Sequence, residues 1–126
     1  MNLISVLAVF LGGGFGSVGR YLISRGFVAL GYEARFPLAT LITNVLACIL
    51  MGVIAYLGMK YRSDLGSWRD FWLIGFCGGF STFSTFSYEN WLLFKQEAFW
   101  LMGLNMLLSV FLCLLVFILL HRYLNV

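Results

Sequence analysis

No charged residue occurs between Ala98 and Leu120, and almost every side chain in that run is aliphatic or aromatic. A helix needs about 20 apolar residues to cross the hydrocarbon of a bilayer, so this stretch reads as a membrane span rather than as one face of a soluble core. Three further stretches have the same character: residues 3–20 or somewhat beyond, 37–59 and 71–94. Four spans fill a chain of 126 residues, leaving short connections, and residues 1–126 read as a single four-helix transmembrane unit. Hydrophobic residues make up 62% of the chain and charged ones 10%, which excludes a disordered tail. The 8 basic and 5 acidic residues form no stripe suited to nucleic acid.

The N-terminal segment has no Lys or Arg ahead of its apolar run and no small-residue cleavage site after it, so it is read as the first helix rather than a removable leader. Pro37 suits the first turn of span two, and Lys60, Arg62, Asp64 and Arg69 mark an aqueous connection to span three. Residues 26–36, with Gly26, Gly31, Glu33 and Arg35 among aromatics, suit an interfacial link. Trp68, Trp72, Trp91 and Trp100 fall near the expected water boundaries and read as an aromatic belt. Cys48, Cys77 and Cys113 are odd in number and widely spaced, and read as small packing residues.

Orientation in the membrane follows Lys and Arg in the connections. This arrangement places Lys60, Arg62, Arg69 and Arg122 on the N-terminal side and Arg20, Arg25, Arg35 and Lys95 on the other. With equal numbers on both sides, chains are free to insert in either sense, which allows an antiparallel pair of identical subunits.

Several polar residues interrupt the apolar spans. Gly12, Gly16 and Arg20 recur at four-residue intervals, with Gly13 and Ser17 beside them. Such a small face serves close helix contact while Arg20 snorkels to the surface, or else Arg20 sits in a watery vestibule and concentrates anions. Thr40, Thr43, Asn44, Ala47, Cys48 and Met51 form a small and polar stripe on span two. Asn44 at its middle either glues helices together or offers an amide donor to a permeating anion. Asn105, Ser109 and Cys113 repeat the theme on span four.

Span three carries the strongest signal. Gly75, Gly78 and Gly79 precede the run Phe80-Ser81-Thr82-Phe83-Ser84-Thr85-Phe86-Ser87. Glycines weaken the helix, hydroxyls compete for its backbone bonds, and a period of three matches a 3₁₀ turn better than an α-helical face. A break is therefore expected within residues 78–82. Broken membrane helices offer carbonyls to cations and amides to anions. The phenylalanines are either lipid-facing rings or ring edges, electropositive at the rim, that hold an anion weakly. Weak multisite binding is what conduction requires.

At these residues the chain resembles, over essentially its whole length, the Fluc family of small bacterial fluoride channels, also called CrcB. The resemblance rests on the glycine-rich first span ending in Arg20, on Asn44, and on the run from Gly78 to Phe86. It implies an all-α protein of the bacterial inner membrane, with four transmembrane helices per chain and the third broken at its centre. It further implies an antiparallel, dual-topology homodimer with two fluoride pores and a central structural sodium ion. By position, Phe83 and Phe86 look like the pore rings, Asn44 the pore amide, and Ser84 and Thr85 pore hydroxyls. Gly78 and Ser81 look like the donors of sodium-binding carbonyls, and Arg20 like a residue of the pore vestibule. Ser109 is the candidate hydroxyl on span four. Two positions depart from the family pattern: Ser81 stands where Thr is frequent, and Cys113 where hydroxyl residues are common.

The function so implied is passive export of fluoride through the membrane, with no reaction catalysed. His121 is solitary, and no nucleophile–base or metal-ligand grouping can be assembled. A proton-coupled multidrug exporter of similar size is the competing reading. It requires a membrane-embedded carboxylate, whereas Glu33, Asp64, Asp70 and Glu97 fall in loops or at boundaries and Glu89 lies toward one end of span three. A non-transporting scaffold would leave the hydroxyl and phenylalanine repeat without a purpose.

Overall fold

The computed structural model describes residues 2–32, 35–60 and 66–124. Glu33, Arg62 and Asp64 lie outside the described residues. Among the described residues there is no strand. Helix α1 spans Leu3–Ala29, α2 Leu38–Lys60 and α6 Phe99–Leu124, and these three are long and apolar enough to cross a membrane. Between α2 and α6 lie shorter pieces: α3 (Gly66–Arg69), a π-helical segment (Asp70–Cys77), α4 (Gly78–Phe80) and α5 (Phe83–Lys95).

Helix α1 starts where Asn2 caps it, the Asn2 Oδ1 accepting from the Ile4 amide at 3.1 Å. It continues well past Arg20 and takes in Arg25 and Gly26. At 1.5 Å per residue its 27 residues extend about 40 Å, against about 30 Å of hydrocarbon, so its last turns reach the headgroup region. The interfacial link is thereby shorter than its composition suggests. It turns at Gly31, whose φ of +73° is costly for any residue with a Cβ. At the other end of the chain, α5 and α6 are joined by a tight turn in which Glu97 takes a φ of 56°. The amides of Gln96, Glu97 and Ala98 close that turn onto the carbonyls of Leu92, Phe94 and Leu93.

The glycine face of α1 lies directly against residues 71–80. A Cβ on Gly75 would stand 3.0 Å from the Gly12 Cα, and one on Gly79 would stand 3.0 Å from the Gly13 Cα. A Cβ on Gly16 would run into the Phe76 carbonyl. Lipid gives helices no hydrophobic reason to associate, so close backbone approach between small residues supplies the contact. α2 packs on α6.

The third segment departs from a regular helix in a different way from the expected 3₁₀ turn. Asp70–Cys77 widens into a π-helix, and after one turn of α4 the chain becomes extended: Ser81 has φ −77° and ψ 157°, Thr82 φ −153° and ψ 116°. The hydroxyls account for this. Ser81 Oγ bonds back to the Cys77 carbonyl at 2.9 Å, while Thr82 Oγ1 caps α5 by accepting from the Thr85 amide at 3.2 Å. The later half of the three-residue repeat is then ordinary α-helix, which puts Phe83 and Phe86 on one face.

Candidate functional site

The extended pair Ser81–Thr82 leaves backbone groups that helix bonds would normally occupy. Asn44 on α2 meets this need with both ends of its amide: Oδ1 accepts from the Thr82 amide at 2.8 Å, and Nδ2 reaches the Thr82 carbonyl at 3.5 Å. In a continuous helix the Thr82 amide would bond the Gly78 carbonyl, four residues back. Diverted to Asn44, it leaves the Gly78 carbonyl without its usual helical donor. Gly78 itself is exposed, and nothing lies within 4 Å of the position its Cβ would take.

Thr82 Oγ1 also donates to Thr85 Oγ1 at 3.0 Å and lies 3.4 Å from Ser84 Oγ. The first turn of α5 thus presents a knot of hydroxyls beside amides that have no intrahelical acceptor, an arrangement that favours negative charge.

A cleft of about 280 Å³ opens beside this turn, lined by Asn44, Ser81, Thr82, Phe83, Phe86 and Ser109 together with Cys48, Val110 and Cys113. Four of the expected pore residues, Asn44, Phe83, Phe86 and Ser109, therefore converge on one space, though they come from three helices. The Phe83 and Phe86 rings lie 5.8 Å apart at 37°. They form the wall between this cleft and a second, of about 320 Å³, bounded by Ser87, Asn90 and Met106 among others. Phe83 is 80% exposed in the single chain.

Ser84 and Thr85 are exposed, tied to Thr82 rather than turned into the first cleft. Arg20 is half-buried on α1 and is not among the lining residues of either cleft; its neighbour Gly19 faces the Phe80 ring.

Behind the rings runs a buried chain of side-chain bonds. Asn90 Nδ2 donates to the Phe86 carbonyl at 2.8 Å, Asn105 Nδ2 to Asn90 Oδ1 at 3.2 Å, and Ser109 Oγ to Asn105 Oδ1 at 3.4 Å. Asn90 is 3% and Asn105 1% exposed. This chain ties α5 to α6 and engages the Ser109 hydroxyl with Asn105. Asn90 was not singled out from the sequence; an amide four residues after Phe86 in an apolar stretch was the available signal.

Glu89 is more enclosed than its place toward the end of a span suggests. Its Oε1 accepts from Thr40 Oγ1 at 2.7 Å, while Oε2 is buried with no hydrogen-bond partner among the described residues. Among the described residues no group of three His, Cys, Asp or Glu side chains is placed to hold a metal ion.

Comparison with known proteins covers nearly the whole chain. The family model for CrcB-like proteins, described as Camphor Resistance (CrcB), matches residues 7–120. A relative from Pyrococcus horikoshii is 41% identical over 126 residues, spanning 97% of this chain and 100% of its own. Relatives from Vibrio campbellii, 43% identical over 87% of each chain, and Coxiella burnetii, 39% identical over 88% of this chain and 90% of its own, align almost as fully. Each of the three is named a fluoride-specific ion channel, FluC. With its apolar spanning helices and its glycine, amide and phenylalanine positions within the matched region, this multi-pass membrane protein belongs to the CrcB family.

Proposed function

We propose that this chain is the subunit of a fluoride-specific channel that lets fluoride leave the cell passively. The observation that carries the reading is full-length similarity to relatives bearing that name, such as the one from Pyrococcus horikoshii. The site is chemically suited to the task. Fluoride is small and strongly hydrated, so a path for it must replace water with many weak partners. Here the Asn44 amide, Ser81 and Thr82 at the helix break and the rings of Phe83 and Phe86 lie along adjoining clefts. The exporter reading has a carboxylate candidate in Glu89, but relatives named channels do not favour it.

The pieces from Gly66 to Lys95 together make a fourth crossing, broken at Ser81–Thr82, and two such chains pair antiparallel. The physical support is what a single chain leaves open. Phe83, Ser84, Thr85, Ser87 and Gly78 are exposed midway along this segment, where hydrocarbon offers hydroxyls and carbonyls no partner. An inverted copy covers them, and the even division of Lys and Arg permits that inversion.

A structural sodium ion fits the Gly78 and Ser81 carbonyls. The first is released by the diversion of the Thr82 amide to Asn44, and the second lies in extended backbone. Two oxygens from each chain give four without a carboxylate, and the ion would offset the carbonyl ends of the two α4 segments, one from each chain.

The test is purified protein in potassium fluoride-loaded liposomes with valinomycin, read by a fluoride electrode. Rapid fluoride efflux with no matching chloride efflux is expected; equal or absent fluxes of both ions overturn the reading.

A further inference from the structure

Cys48 on α2 and Cys113 on α6 both line the cleft that holds Asn44, Phe83 and Phe86. Both are free and half-buried. As packing residues they would need only to fill space. Instead one cleft draws a cysteine from each of two helices, and a pair of thiols is the donor set of a two-coordinate soft cation.

We propose that Cys48 and Cys113 form a binding site for a soft d¹⁰ cation such as Ag⁺, Cu⁺ or Hg²⁺, and that its occupancy closes the fluoride cleft. This rests on the channel reading above. Binding is a ligand exchange with no change of oxidation state. Two S–H bonds break, two sulfur–metal bonds form, and two protons pass to water. With a monovalent cation the bridged group carries one negative charge; with Hg²⁺ it is neutral. In either case the metal fills space beside the ring pair, and the monovalent product also repels an approaching anion.

Selectivity follows from the ligands. Thiolates favour soft metals, and a site of two sulfurs gives no advantage to sodium, magnesium or calcium. Cys77 is fully buried and does not line the cleft, so it stands outside the site and serves as a control. Serine at position 113 would keep a small polar side chain but remove one soft donor, so this chain's cysteine there confers a sensitivity that a hydroxyl would not.

The experiment uses the purified full chain in chloride-free medium with Ag⁺. In detergent, the unmodified chain and Cys77→Ala should each bind one Ag⁺ tightly, and Cys48→Ala and Cys113→Ser should lose that binding. In liposomes, the ratio of fluoride efflux without Ag⁺ to efflux with it should exceed ten for the unmodified chain and Cys77→Ala, and approach one for the other two. Excess dithiothreitol should restore flux. Fluoride efflux that is normal and insensitive to Ag⁺, or block that survives in the Cys48→Ala/Cys113→Ser double variant, overturns the proposal. Absent efflux before any metal is added counts against the channel reading instead, while the stoichiometry in detergent still decides the site.

Discussion

Replacing Asn44 with Leu removes the one side chain that serves both backbone groups of Thr82. The short bond from the Thr82 amide to Asn44 Oδ1, at 2.8 Å, carries most of the effect, and the 3.5 Å reach from Nδ2 to the carbonyl adds little. A buried amide left without an acceptor costs about 1–3 kcal/mol. Thr82 is 7% exposed, so water has poor access to take over. Destabilisation of about 2 kcal/mol is expected, roughly a 30-fold shift in the folded-to-unfolded ratio.

Unfolding by SDS titration in dodecylmaltoside micelles measures that loss directly, and liposome efflux measures its consequence at the cleft. Asn44→Asp separates the two. It keeps an acceptor for the Thr82 amide, loses the donor and sets a negative charge on the cleft wall. Efflux should therefore fall at least tenfold while stability changes less than in Asn44→Leu. An Asn44→Leu protein that unfolds at the same SDS fraction as the parent, or an Asn44→Asp protein that conducts normally, would refute the reasoning.

Four other outcomes follow from the same geometry. Phe83→Ile and Phe86→Ile should each abolish or greatly slow fluoride efflux from liposomes, because an aliphatic group has no electropositive rim; unchanged flux in both defeats the aromatic pathway. Gly16→Ala and Gly79→Ala should cost about 1–3 kcal/mol in the SDS titration, since each new methyl meets backbone rather than a movable side chain, whereas Gly14→Ala, with nothing within 4 Å, should be silent. Asn105→Leu should destabilise by about 2 kcal/mol through the unmatched Asn90 carbonyl and Ser109 hydroxyl, and the double variant with Asn90→Leu should recover part of that loss. Replacing sodium by N-methylglucamine in detergent should dissociate the proposed pair more readily, as read by size-exclusion chromatography with light scattering.

Membrane residence and the helix bounds were legible because both depend on local composition. The expected spans 37–59 and 98–120 differ from α2 and α6 by a few residues, since Pro37 and the turn at Glu97 are local punctuation. Long apolar runs can satisfy their backbone in lipid only as helices, so their positions follow from the chain itself. The first span, expected over 3–20 or somewhat beyond, runs past Arg20 to Ala29. A single guanidinium can snorkel from within a span, and charge therefore marks helix ends less sharply than Pro or a positive φ does.

What the linear order could not supply was the pairing of polar groups across helices. The triplet rhythm suggested a tighter coil, yet the hydroxyl of Ser81 folded back on Cys77, that of Thr82 capped the next helix, and Asn44 from another helix took the amide between them. Likewise, nothing in the spacing of Asn90 and Asn105 says that they meet, nor in that of Cys48 and Cys113 that they line one cleft. Those contacts arise from how α2, α5 and α6 pack, because an interior polar group takes whichever partner tertiary packing brings within reach, however far away it lies along the chain.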